Sequence, residues 1–187
     1  MFARTDRLLL RPGWREDAPA LARAVSALAV ARNLEGLRWP YSVEEAERFL
    51  AHAAAQPGQT TLLAFRRAAG APELVGAVGL GRSEDGHALF AAWIAPDYRG
   101  RGYASEAGSA LLAAARDSLR LPRLFAWSFL GNPAGARMLD KLGFTATGEI
   151  LRAAPPARSG AAAPCRLHVM NFASAPASAD RHAALAA

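Results

Sequence analysis

The sequence predicts an α/β (α+β) domain: a mixed, mostly antiparallel sheet of about seven strands with four main helices. Three observations lead there. Short apolar runs bounded by Gly, Pro and charged turns recur along the chain and read as strands. Two stretches carry helix punctuation, a cap at the start and a breaker at the end. One helix stands between two strongly apolar strands, and a strand–helix–strand unit of that kind makes its strands parallel, with a right-handed crossover.

In chain order, "RLLLRP" (Arg7 to Pro12) is a short first strand. Asp17 is placed to cap a helix through about Ala29, with Pro19 tolerated in its first turn. Ser42 and Glu45 form a capping box that opens a helix to about Ala55, ended by Pro57-Gly58. "TTLLAFRR" and "ELVGAVGLG" read as strands joined by a tight turn at "AAGAP", and "SEDG" is another turn. "HALFAAWI" (His87 to Ile94) is apolar on both faces, as a central buried strand is. A helix follows from about Gly102 to Ser118, then the strand "RLFAWSFL". "NPAGARMLDKLGF" is a helix with Asn132 as cap, Pro133 first and Gly143 just past the end. "TATGEIL" and "CRLHVMNF" close the sheet around an Ala/Pro-rich loop at 153–164. Residues 1–172 therefore read as a single domain, and 173–187 as a low-complexity, mobile tail.

The chain has 187 residues, 52% of them hydrophobic and 20% charged, enough for one core without metals or disulfides. Its single cysteine, Cys165, excludes an internal disulfide framework and a Cys-based zinc site, and the four histidines show no ligand spacing, so no metal is implied. No apolar run suits a signal peptide or a membrane span, so a cytoplasmic protein with no membrane partner is expected. The net charge of +6 invites a nucleic-acid partner. Interleaved signs, and the absence of any long basic run, argue against it.

The stretch "WIAPDYRGRGYASEAGSALLAAA" (Trp93 to Ala115) carries the chemistry. A strand ends, Arg and Gly alternate, and a helix begins. Unpaired N–H groups and the positive end of the helix dipole meet there with Arg99 and Arg101, and Gly100 and Gly102 let a ligand approach the backbone. The natural occupant is a phosphate or pyrophosphate. A nucleotide P-loop is excluded because its lysine is missing, and a dinucleotide fingerprint because Ser105 stands at its third glycine. From this stretch alone, a glycine turn with surface arginines stays open as the plainer reading.

"RGRGYA" (Arg99 to Ala104) resembles the R/Q-x-x-G-x-G/A signature of the GNAT superfamily of acyl-CoA-dependent N-acetyltransferases. "WIAPDYRGRGYASEA", "TDRLLLRPGWREDAPAL", "WPYSVEEAERFL" and "NPAGARMLDKLGF" resemble its RimJ/RimL-type branch, which acetylates protein N-termini and other amines. The likeness runs from about Thr5 to Asn171 and implies a GNAT-like sheet with a parallel, splayed strand pair.

The resemblance implies acetyl-CoA as co-substrate. Arg99, Gly100, Arg101, Gly102, Tyr103 and Ala104 would hold its pyrophosphate, with Ser105 as a further contact. Trp93, Ile94 and Ala95 would pair their backbone with the pantetheine arm, and Asn132 would touch it from the other side. The acceptor would be a small-molecule amine or a protein N-terminus, with Trp39 and Tyr41 at its mouth beside the 38–41 and 153–165 loops. The family's proton-handling positions are filled here by Gly135, Leu139 and Leu89, so no general acid or base carries over. That opens a second expectation, a CoA-binding module without turnover. His87 and Asn132 are the remaining catalytic candidates. Glu84 and Asp85 read as turn residues, and Cys165 as a small buried thiol with His168 on the opposite strand face.

Overall fold

The computed structural model describes residues 1–34, 37–56, 58–67, 70–83, 85–153 and 162–172. The strands are β1 (Ala3–Arg4), β2 (Leu8–Arg11), β3 (Thr60–Arg66), β4 (Glu73–Arg82), β5 (Ala88–Ile94), β6 (Arg123–Phe129), β7 (Thr145–Ala153) and β8 (Ala163–Asn171). The helices are α1 (Ala18–Ser26), α2 (Leu28–Ala31), α3 (Val43–Ala55), α4 (Tyr103–Asp117) and α5 (Pro133–Leu142). Together they make one mixed sheet in the order β1-β2-β3-β4-β5-β6-β8-β7. Its pairings are antiparallel except β5–β6. The count exceeds the expectation by the two-residue β1 and by a break in the first helix. The expected tail and most of the 153–164 loop lie outside the described residues.

Both faces of the sheet are covered. Alternation sends Leu8, Leu10, Leu62, Val78, Phe90 and Leu124 to one side, where they pack under Ala107, Leu111, Ala115 of α4 and Leu139 of α5. Leu63, Phe65, Leu74 and Ala77 face the other side, under Leu21, Val25 of α1 and Ala46, Leu50 of α3. Gly108 brings α4 close to its neighbours. A Cβ there would come within 2.7 Å of Leu142 and 3.3 Å of Phe90.

Four local expectations need correcting. Asp17 does not cap α1: its backbone is helical and its side chain makes no cap bond. Its carboxylate instead takes two bonds from Arg11, at 2.7 and 2.8 Å, and one from the Trp14 N–H at 2.7 Å. The first helix breaks at Ala27, which is extended, and the neighbouring Ser26 hydroxyl donates to the Tyr41 carbonyl at 2.9 Å. The Ser42–Glu45 box is half formed: the Ser42 hydroxyl accepts the Glu45 N–H, while the Glu45 carboxylate turns to Arg48 at 2.6 Å. β5 also departs from the fully buried strand expected. Ala91 is exposed and Leu89 and Trp93 are only half-buried, because they share the sheet face that the α1/α3 cluster reaches only at Trp93.

Arg11 anchors the entry into α1. Its guanidinium lies between the rings of Trp14 and Phe65, 3.9 and 4.2 Å from their centroids, while it grips Asp17. Burial pushes the Asp17 pKa up, but the Arg11 hydrogen bonds, the Trp14 N–H and the Arg11 charge outweigh it and hold the carboxyl below its usual value. The pair's contribution is therefore complete above the unfolded value of about 3.9 and is lost as pH falls through the lower folded value. Asp17→Asn is expected to cost about 3 kcal/mol, because it strands a buried guanidinium. Thermal melts should show that loss at neutral pH and a shallower fall in Tm on acidification than in the wild type.

Candidate active site

Parallel strands β5 and β6 share one register pair, Leu89 with Phe125. Beyond it, toward the C-terminal ends of both strands, the sheet opens. Each strand keeps its outer neighbour, β4 on one side and β8 on the other. A parallel pair puts the loops after both strands at the same end, so the loop at 95–102 and the turn at Asn132 flank the same gap.

Backbone alternation decides which groups face that gap. The Ala95 N–H donates to Val75 O at 2.9 Å, so Ala95, and by alternation Trp93, turn their polar groups toward β4. Ile94 and Ala92 turn theirs toward the gap. Of the three expected residues, Ile94 is thus the one that presents its backbone there, and Ala92 joins it. The side chain of Trp93 packs on the α1/α3 side, and that of Ile94 under α4. Arg99 folds back across the gap's mouth: its Nε donates to Ile94 O at 3.2 Å and a terminal nitrogen to Ala29 O at 2.9 Å.

The Arg/Gly loop ends in a helix N-terminus of the expected kind. Gly100 and Gly102 have φ of 74° and 80°, the left-handed region, and Gly102 is the N-cap residue of α4. The first helical bond runs from Glu106 N to Gly102 O at 3.0 Å, so the amides of Tyr103, Ala104 and Ser105 precede any intrahelical acceptor. The Arg99 amide, by contrast, is used by Pro96 O at 3.2 Å. Tyr103 itself is a core residue, and Arg101 is exposed beside the Tyr98 ring.

A network that the sequence did not announce holds this corner. Glu106, in the first turn of α4, accepts from Thr5 Oγ1, from the Arg7 N–H at 3.0 Å and from the Arg7 guanidinium at 2.7 Å. Arg7 also donates to the Arg101 carbonyl at 2.9 Å and lies over the Tyr103 ring. Burial raises the Glu106 pKa, but Thr5 and Arg7 more than offset it, so the group is held as a carboxylate. A second cluster is adjacent: Tyr98 Oη and Arg66 both donate to Glu73. Glu106 was readable as an N-terminal acid, but its partners lie about a hundred positions away.

The other candidates fall as follows. Asn132 caps α5, its Oδ1 accepting the Gly135 N–H at 3.2 Å. His87 is exposed at the start of β5, its ring 5.1 Å from that of Phe125. The structure does not bring it to the open end of the pair. Asp85 is exposed in its turn, and Glu84 lies outside the described residues. Trp39 is exposed, whereas Tyr41 is a core residue whose hydroxyl pKa is pushed up to about 12 by burial and then by Glu45. Leu139 is the buried residue of α5, packed on the sheet, and Leu89 is half-buried on β5. Cys165 packs with Phe129 and Ala153, and His168 is buried on the other face. Among the described residues no cluster of three or more His, Cys, Asp or Glu could hold a metal, and no helix is long and apolar enough to cross a membrane.

A family model described as an acetyltransferase (GNAT) domain matches residues 7–145. Solved structures share the fold. A GNAT-family acetyltransferase from Bacillus anthracis superposes with a TM-score of 0.76 at 21% identity, over 91% of this chain and 98% of that one. RimL, a ribosomal L7/L12 alpha-N-protein acetyltransferase solved with coenzyme A, gives 0.74 at 20% identity, over 92% and 98%. The microcin C7 self-immunity acetyltransferase MccE, solved with acetyl-CoA and AMP, gives 0.71 at 15% identity, over 90% and 94%. No curated protein matches the chain.

Gly135 has a packing reason. A Cβ there would lie 2.8 Å from Asn132 Nδ2. Gly135→Ser is therefore expected to displace the α5 cap and cost about 1 kcal/mol. At this chain length that is roughly 2–4 °C of Tm by calorimetry.

Proposed function

This chain belongs to the acetyltransferase (GNAT) domain family, and on that premise we propose that it transfers an acetyl group from acetyl-CoA directly to a primary amine. The observation that carries the reading is the open β5–β6 pair beside the α4 N-terminus, whose first amides have no intrahelical acceptor. In this reading the diphosphate takes the amides of Gly102 to Ser105, with the positive end of the helix dipole behind them. The left-handed Gly100 and Gly102 let it approach the backbone. The pantetheine arm enters the gap as a strand would, against the backbone of Ala92 and Ile94. Arg99 then has to release the Ile94 carbonyl. Asn132 stands at the β6 side of the entrance.

The acceptor amine attacks the thioester carbonyl, whose developing oxyanion takes a backbone N–H. A thioester is already activated, so holding amine and carbonyl in line supplies much of the acceleration. Gly135, Leu139 and Leu89 supply no acid or base, and His87 stands at the strand start. An acceptor that is partly neutral by itself therefore fits best. A protein α-amine, with a pKa of about 7.7–8.0, meets that condition; a lysine amine near 10.4 does not. A protein N-terminus or a small amine of similar basicity is the proposed substrate. RimL, among the structural neighbours, is named for acting on an α-amine, which supports the choice.

A second reading, a CoA-binding module without turnover, is favoured by those same three residues. One assay separates the two. Purified protein, acetyl-CoA, a thiol reagent and a panel of N-terminal peptides and small amines should release thiol with at least one acceptor. The initial rate should climb with pH to a plateau above about 8. CoA binding with no release from any acceptor selects the second reading.

Gly102→Val tests the site under either reading. A β-branched residue at φ 80° is strained by about 1–3 kcal/mol and its side chain invades the anion position. Calorimetry should show CoA binding abolished while the far-UV spectrum is kept. Unchanged affinity would remove the loop from the site.

A further inference from the structure

The strand that borders the gap on one side, β6, carries a buried polar group that this reading does not use. Ser128 on β6 and His168 on β8 are both buried, with exposures of 6% and 1%. His168 pairs in register with Ala126, and Ser128 with Arg166, so the two are diagonal neighbours. They share the sheet face of Leu124 and Ala126, the face covered by α4 and α5. Ser128 Oγ lies 3.1 Å from His168 Nε2, while His168 Nδ1 is buried with no hydrogen-bond partner.

Ser128 and His168 carry two donors and share one hydrogen bond, so one donor goes unmet in either tautomer. If Ser128 gives its proton to Nε2, the unmet donor is Nδ1–H, on a buried ring nitrogen with no partner. If Nε2–H donates to Oγ, the unmet donor is the Ser128 O–H, on the strand that borders the gap, where a ligand can meet it. The second arrangement leaves the Ser128 O–H uncommitted. The imidazole is neutral in this setting. Burial is the largest influence and lowers its pKa, Asp140 on α5 opposes that, and Arg166 on β8 adds to it.

Position makes the free hydroxyl useful. Counting three residues along both strands from Leu89–Phe125 brings Ser128 opposite Ala92, where the pairing has ended and the Ala92 backbone faces the gap. The α4 N-terminus lies at this end of the sheet and on this face. On α5, the family's hydroxyl positions are Gly135 and the buried Leu139.

We propose that Ser128 is the catalytic group at the leaving sulfur: its hydroxyl donates a hydrogen bond to the CoA thiolate as the carbon–sulfur bond breaks. His168 is a positioning residue that holds that hydroxyl through Nε2–H. The proposal rests on the reading of the gap as the pantetheine site. The nitrogen–carbon bond forms, and the carbon–sulfur bond breaks with its electron pair going to sulfur. The acceptor's proton goes to water, and the departing thiolate takes one from water. Ser128 and His168 finish as they began. The strand beneath α5 thus supplies the hydroxyl that the helix lacks.

The test needs no acceptor. The thiol of CoA bound to the full chain is titrated by its ultraviolet thiolate absorbance, with desulfo-CoA complexes as the reference that removes the protein's own groups, Cys165 included. In the wild type the bound thiol should ionise about one pH unit below free CoA, the shift that a charge-assisted hydrogen bond of ordinary strength produces. Ser128→Ala should restore the free value while CoA affinity stays within about threefold, and Ser128→Thr should keep most of the shift. His168→Leu should lose part of it in the wild type and change nothing further when added to Ser128→Ala. A purely structural pair would lower Tm in every variant and leave the bound thiol unmoved. An unshifted thiol in the wild-type complex overturns the assignment by itself, whether or not the variants fold. CoA that does not bind the wild type at all overturns the underlying reading, and this proposal with it.

Discussion

The site depends on one constraint: two parallel strands that meet at a single register pair and then part. β5 is tied to β4 and β6 to β8, so neither strand can turn to follow the other. What bridges them is apolar and lies on one face, α4 packed closely over β5 through Gly108 and α5 packed beside it over β6. A sheet that stayed paired to its ends would satisfy every backbone group. This one leaves the groups of Ala92 and Ile94 turned toward a gap, where an extended amide-bearing ligand can complete the ladder.

Charge is arranged to suit the same corner. A carboxylate in the first turn of α4 suits the helix dipole but would repel an incoming phosphate. Arg7 removes that conflict by taking Glu106 and the Arg101 carbonyl together, and Tyr103 lies under its guanidinium. The pairs are partly exposed and each contributes little to stability. Their effect is to fix where the loop's carbonyls and amides point. On the opposite face Arg11 does comparable work, linking β2, Trp14, Phe65 and Asp17 at the start of α1.

The strand wall and the helix above it divide the polar chemistry unusually. α5 is apolar toward the sheet, and its N-terminal turn is crowded enough that a side chain at Gly135 would strike the residue that caps it. Beneath it, a buried serine and a buried histidine share one hydrogen bond, and one ring nitrogen is left without a partner. Buried polar pairs left incomplete are costly in a low-dielectric interior.

Local signals explain how much of the molecule could be read directly. Asn132, Pro133 and Gly143 punctuate α5 as expected, because a cap acts within one turn and needs no distant partner. Apolar alternation located the strands, and the Arg/Gly run located the turn before α4 with its two left-handed glycines. Asp17 went astray because a cap and an ion pair look alike in sequence, and the ion pair won when Arg11 came within reach. Folding alone inserted β8 between β6 and β7, opened the β5–β6 edge, joined Arg7 to Glu106 and set Ser128 against His168. Those partners lie far apart along the chain. Only packing of the whole sheet brings them together, and no periodicity or local propensity encodes it.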